Sequence, residues 1–296
     1  MNVPKPNIPT RRNIGPLYTW PMGIWFTVFF VAPLVIIILY SFLERGLYGG
    51  VVYTFSLEAY RLMAKSAYAT VFFRTLWISA LSTAITILLA LPCGYAMAKS
   101  KHQTIFLIFV IVPFWTNSLI RIFAWMSILG NDGVLNTLLL TLGLTDEHLK
   151  LLYNSGAVIV VSVYMYLPYA ILPIFSAIDS FDFSLLEASR DLGATKMTSM
   201  FKVLLPNVQS GLLTAVIFTF IPIFGSYTVP LLVGGRDSYM IGNIIVDQVN
   251  KTRNWPLAAA FSVIITVVST AGVLWVLWVG KKDEKLKADF KGKEKI

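Results

Sequence analysis

The chain holds very little with which to do covalent chemistry. Its 296 residues include one cysteine, Cys93, and two histidines, His102 and His148. A lone cysteine cannot form an internal disulfide, and two histidines that the spans below put on opposite sides of a membrane give no metal-ligand set. Nothing matches Gly-x-x-x-x-Gly-Lys-Ser/Thr, and no glycine-rich loop sits in a strand-turn-helix context, so nucleotide phosphates have no cradle. Charge is scarce as well, at 13% Asp, Glu, Lys and Arg. None of the fifteen carboxylates falls inside an apolar run. Proton- and sodium-coupled carriers bury ionisable groups near the midplane, so that absence argues against a stand-alone secondary carrier.

What is abundant is apolar surface. Hydrophobic residues make up 56% of the chain and the mean hydropathy is +0.71, values of an integral membrane protein with no room for a soluble domain beside its spans. The expected fold is all-α with six transmembrane helices. The six apolar runs lie near 20 to 43, 72 to 98, 104 to 129, 156 to 178, 208 to 233 and 257 to 279. Each exceeds the ~20 residues that cross a hydrocarbon core of ~30 Å. This divides the chain into an arm (1–19), a transmembrane domain (20–279, with its core at 70–279) and a basic tail (280–296). The first run follows Lys5, Arg11 and Arg12 without a small-residue cleavage site, so it reads as a span and not as a signal peptide.

Fifteen Lys and Arg fall on the side of the termini and seven on the other, which makes both termini and the loop at 179–206 cytoplasmic. Seven of the basic residues lie in the tail Lys281 to Lys295, directly after a span. Anionic lipid explains them better than nucleic acid.

The polar loop between the fourth and fifth runs carries the most specific pattern. Glu187-Ala188-Ser189-Arg190-Asp191-Leu192-Gly193 is followed after nine residues by Val203-Leu204-Leu205-Pro206. Asp182 or Ser184 can cap a helix through Glu187, Gly193 supplies a turn tolerant of positive φ, and Ala194 to Val203 form a second helix that Pro206 ends. Glu187 and Asp191, four apart, share a helix face. Small residues at Ala188, Ser189, Gly193 and Ala194 let a partner backbone approach.

Prolines recur inside the runs, and the fourth (Pro168, Pro173) and fifth (Pro222, Pro230) hold two each. Freed carbonyls are tolerable at membrane depth beside protein or water, which makes these two runs candidates to line a path. They also carry Tyr164, Tyr166, Tyr169, Phe218, Phe220, Phe224 and Tyr227, whose faces attract organic cations by ~0.5–2 kcal/mol each without the cost of a buried carboxylate. Helix packing and interfacial belts use aromatics equally. Arg121 is the one clear intramembrane charge, ~12 Å deep at ~1.5 Å per residue. Snorkelling, carbonyl capping and gating are all open to it.

The loop resembles the EAA motif of ABC importer permeases, with Ser189 and Val203 as conservative departures. The run Val112-Pro113-Phe114-Trp115-Thr116-Asn117-Ser118-Leu119-Ile120-Arg121-Ile122, together with Ile241-Gly242-Asn243-Ile244-Ile245 and Asn254-Trp255-Pro256, narrows the resemblance to the spermidine/putrescine branch. That resemblance covers roughly residues 20 to 280 and implies a type I (MetI-like) fold in a bacterial inner membrane. It also implies a homologous second permease, two ATPase subunits that use ATP and Mg, a periplasmic binding protein, and no cofactor or catalysis in this chain. By position, Glu187, Ala188, Ser189, Asp191, Gly193, Ala194, Leu205 and Pro206 would dock on the ATPase. Asp247, on the periplasmic side, could meet a polyamine amine. Another small solute, such as an opine, a thiamine-like cation or ferric iron, stays open, as does a homodimer.

Overall fold

A computed structural model describes residues 15–293. The arm up to residue 14, with Lys5, Arg11 and Arg12, and the last three residues of the tail lie outside the described residues. Among the described residues, four continuous helices are long and apolar enough to cross a membrane: Trp20–Ser41, Ser66–Lys99, Ser155–Asp179 and Trp255–Trp278. Two bent pairs complete the expected six. Gln103–Trp115 turns by 93° into Ser118–Thr141, and Lys196–Asn207 turns by 73° into Gln209–Phe224. The last span continues as helix to Lys293.

The prolines do not act as the sequence suggested. The fourth span is one unbroken helix through both Pro168 and Pro173, so double breaks do not single it out. Pro230 lies outside the fifth span, in the short helix Thr228–Leu232 beyond a turn at 225–227. Nor does Pro206 end its helix, which runs through it to Asn207. Two prolines are accommodated by the same device. A π-turn over Thr27–Val31 precedes Pro33, with Ala32 N–H on Thr27 O. Another over Met200–Leu204 precedes Pro206, with Leu205 N–H on Met200 O. Widening the turn moves the carbonyl four residues back away from the pyrrolidine ring, which would otherwise clash with it. The third span breaks hardest, at Thr116 and Asn117, where Asn117 Oδ1 caps the new helix by accepting Leu119 N–H at 2.8 Å.

The second, fourth and fifth spans form the central bundle, and the sixth packs on the first and on the helix Ile241–Asn250. Burial alone gives helices little drive to associate in lipid, so close contact has to supply it. The second span accordingly buries small side chains, Ser79, Ser82, Thr86 and Ala90, all at 0% exposure. Gly211 lets the fifth span touch the fourth, since a Cβ there would stand 2.4 Å from Ala177 Cβ and 2.7 Å from Pro173 O. The first span packs on the sixth near its end, where Ser41 is buried, but its most apolar 18-residue stretch buries no residue among the described ones, the pattern of a helix facing lipid or a partner.

The all-α fold carries one short hairpin besides its helices. Leu43–Arg45 and Val51–Phe55 form an antiparallel hairpin with a bulge between Leu43 and Glu44. Arg45 Nη2 donates to Thr252 O at 2.6 Å and Gly50 N–H to Arg253 O at 3.0 Å. These bonds pin the hairpin to the turn before the sixth span.

Candidate functional site

The loop after the fourth span folds as a helix-turn-helix knob. Asp182 Oδ1 accepts Ser184 N–H at 3.0 Å, and the bonds from the Ser184 side chain and backbone hold its carboxyl below the usual carboxylate range. The helix Ser184–Asp191 follows. Its end is a Schellman turn, in which Gly193 N–H donates to Arg190 O at 2.8 Å and Ala194 N–H to Ser189 O at 3.1 Å. Gly193 has φ of 87°, which glycine adopts without a Cβ penalty. Thr195 Oγ1 then caps the next helix by accepting Thr198 N–H at 3.2 Å.

Two leucines anchor this knob. Leu186 and Leu204, 2% and 1% exposed, join the core of the second and fourth spans, each contributing roughly 1.5–3 kcal/mol by burial. The inward leucine is Leu204, while Leu205 is half-buried and Pro206 exposed. Ser189, treated above as a small residue for a partner, points its hydroxyl inward, 2.7 Å from the buried Ser199 Oγ and 2.9 Å from Leu186 O. That contact ties the two helices of the knob together. Glu187, Ala188, Asp191 and Gly193 are exposed, and Ala194 is half-buried. Glu187 and Asp191 make no ion pair among the described residues. On the same knob Leu192, Met197 and Phe201 are 89%, 61% and 61% exposed. The knob thus presents two carboxylates without an ion pair, together with exposed apolar side chains, among the described residues. This apolar rim is the part that the motif spacing did not reveal, although apolar side chains in a polar loop were a visible sign.

The candidate path residues divide into two groups. On the fourth span, the rings of Tyr166 and Tyr169 lie 5.9 Å apart between centroids and are tilted by 45°, Phe114 meets Tyr169 at 5.3 Å, and Trp125 meets Tyr164 at 5.4 Å. Arg121 joins them, with its guanidinium carbon 4.9 Å from the Phe114 centroid. Its Nε is buried without a hydrogen-bond partner, and it makes no ion pair among the described residues. A charge at mid-span costs ~2.5–3.5 kcal/mol on insertion scales, whereas the ring face returns ~0.5–2 kcal/mol. The arginine is therefore incompletely compensated within this chain. Its depth cannot be counted along a straight third span either, because the 93° turn precedes it.

The fifth-span group is divided between packing and exposure. Phe224 is fully buried, stacked on Phe220 at 5.4 Å and edge-on to Phe72 at 6.2 Å. It is a core residue of this chain and not a lining one. Phe218 and Tyr227 are exposed, and no ring contact joins this group to the fourth-span group among the described residues. Asp247 lies apart, on Ile241–Asn250. It accepts a hydrogen bond from Tyr239 and pairs with Lys251 Nζ at 2.8 Å. Desolvation pushes its carboxyl up, but the bonds from Lys251 and Tyr239 and the lysine's charge outweigh this and hold it below the usual range. Burial and the bond to Asp247 keep the Tyr239 phenol protonated well above its usual range. Both line a cavity of about 270 Å³ with Tyr68 and Gln248.

Residues 82–282 match the family model described as binding-protein-dependent transport system inner membrane component. The chain is 35% identical to the spermidine/putrescine transport system permease protein PotB of Escherichia coli, over 86% of this chain and 93% of that one. It is also 35% identical to the PotB of Haemophilus influenzae, over 82% and 86%. Among solved structures, a bacterial ABC transporter involved in the import of the acidic polysaccharide alginate superposes with a TM-score of 0.71 over 91% of this chain and 96% of that one, at 16% identity. A second structure, the alginate transporter in complex with its pentasaccharide-bound periplasmic protein, gives 0.72 at 18% identity, over 89% of this chain and 93% of that one. At those identities the likeness speaks for the fold.

Proposed function

The chain belongs to the family of binding-protein-dependent transport system inner membrane components, and on that premise we propose that it is the permease subunit of an ATP-driven polyamine importer. Identity of 35% over most of the length of two spermidine/putrescine permeases carries the substrate class. In this reading the chain does no chemistry of its own. A periplasmic binding protein delivers spermidine or putrescine, a second homologous permease completes the path, and two ATPase subunits supply the work with ATP and Mg. Both termini and the knob are cytoplasmic, in keeping with the excess of Lys and Arg on that side.

Coupling is assigned to the knob. Glu187 and Asp191 reach into a groove of the ATPase, Leu192, Met197 and Phe201 cover the apolar floor beside it, and the Gly193 turn sets the angle between the helices. The supporting observation is a leucine-anchored element whose carboxylates form no ion pair and whose apolar rim is exposed among the described residues. Moving a two-state gate from 1:99 to 99:1 takes ~5.5 kcal/mol, and the knob is the polar surface through which ATP-driven closure would deliver it.

The decisive experiment is uptake of labelled spermidine and putrescine into proteoliposomes holding this chain, its partner permease, the ATPase and the receptor encoded beside it. ATP- and receptor-dependent accumulation of either is expected. Accumulation of a different solute, with neither polyamine taken up, would reassign the substrate.

A further inference from the structure

The role inferred for Arg121 rests on the polyamine reading and sharpens it. Gln103 Nε2 donates to Asp179 Oδ1 at 2.9 Å, which gives the third and fourth spans a common floor. Counting up from it at ~1.5 Å per residue, Tyr169 stands ~15 Å high, Trp115 ~18 Å and Tyr166 ~20 Å. Beyond the turn the helix Ser118–Leu129 climbs towards the start of the fourth span, where Gly130 lies beside Asn154, and Arg121, in its first turn and resting on Phe114, stays near that level. In a core ~30 Å thick these groups occupy the middle and outer half. Tyr164 and Tyr169 are 38% and 45% exposed there. Bare hydrocarbon is a poor medium for phenol hydroxyls, so this face abuts protein or a wet path.

We infer that Arg121 is the resting occupant of a cation subsite formed by Phe114, Tyr166 and Tyr169, and that an organic cation passes this level by displacing its guanidinium. Ammonium and guanidinium groups compete for the same ring faces. While the guanidinium sits on Phe114, its charge repels other cations in a medium of low dielectric and closes the route between transport cycles. A snorkelling arginine would carry its polar atoms to the interface, whereas Nε here is buried and unpaired. An unpaired donor also leaves the group less firmly held than a fully bonded one, which suits a plug that has to move. A polyamine, with several ammonium groups delivered at high local concentration, is suited to displace it.

The test uses the complete importer in proteoliposomes preloaded with radiolabelled putrescine or guanidinium, without ATP or receptor. Arg121→Gln is expected to raise efflux of both cations about tenfold per assembled complex and Phe114→Leu about threefold, with Arg121→Lys within about twofold of wild type. A merely structural arginine would change the yield or melting temperature of the complex and leave efflux per complex unmoved. That result for Arg121→Gln, or for Phe114→Leu where Arg121→Gln fails to assemble, overturns the inference. The polyamine reading is judged separately by ATP-driven uptake in the wild type. If spermidine and putrescine are not imported but Arg121→Gln leaks guanidinium, the plug stands and the substrate assignment falls.

Discussion

The knob at residues 184–207 and the aromatic cluster around Arg121 are both unusual in so apolar a chain, yet they are assembled in opposite ways. The knob is local. Its caps, its Schellman turn and the Ser189–Ser199 contact all lie within 26 residues of chain, from Asp182 to Asn207. The cluster draws Phe114, Arg121 and Trp125 from the third span and three tyrosines from the fourth, brought together by the break at Thr116 and Asn117. A docking element can be local because water satisfies whatever its partner does not. A polar group inside the membrane depends on neighbours from elsewhere in the chain or from another subunit.

That contrast orders the expected effects of mutation. The largest is at the turn of the knob. A Cβ at Gly193 meets nothing within 4 Å, so Gly193→Asp acts through its positive φ, at ~1–2 kcal/mol, and through a third carboxylate in the docking face. ATP-driven uptake should drop to background while the amount of membrane-inserted chain is unchanged. Normal uptake by a well-expressed Gly193→Asp variant would remove the coupling role.

Next comes the rim. Replacing Leu192 and Phe201 together by Ser should weaken cross-linking of the knob to the ATPase about tenfold, or ~1.4 kcal/mol, without lowering the melting temperature of the permease. A fall in melting temperature with cross-linking intact would make the rim a packing surface instead.

Within the membrane the expected losses of uptake are smaller and fall on different residues. Paired Ala substitution of Tyr166 and Tyr169 should reduce uptake about fivefold with receptor affinity unchanged, if each ring face contributes ~0.5–1 kcal/mol. Phe224→Ala should instead empty a core position and cost ~3–5 kcal/mol of stability, seen as lost protein and not as altered transport per molecule. A Phe224→Ala variant that is stable but selectively slow would return that residue to the path.

The smallest effect is expected at Asp247. Asp247→Asn should change uptake by less than about twofold, given that its carboxylate is already engaged by Lys251. Because its folded-state pKa is depressed, the stability it contributes is present above the ordinary carboxylate value of ~3.9 and is lost only as pH falls through the lower folded value. Melting temperatures of wild type and Asp247→Asn should therefore run parallel from pH 5 to 8 and converge only in stronger acid. A gap that changes near neutrality would point to a different titrating group.

Composition and local pattern were enough for a good deal of this molecule. Long apolar runs determined that there are six crossings, because nothing else satisfies a backbone in lipid. The spacing from Glu187 to Gly193 determined a helix followed by a positive-φ turn, since capping residues and glycine act within one turn of chain. Tertiary structure decided what such short-range signals cannot carry. Pro168 and Pro173 stay within an unbroken helix, whereas the third span breaks beside Asn117. Leu204, rather than Leu205, is the inward anchor, because a π-turn shifts the helix face ahead of Pro206. Phe224 is core while Tyr169 is exposed, although both are aromatic residues beside prolines, and Arg121 rests on Phe114. Each of these depends on which helix lies opposite, and periodicity tells which face of a helix is apolar but not what it meets.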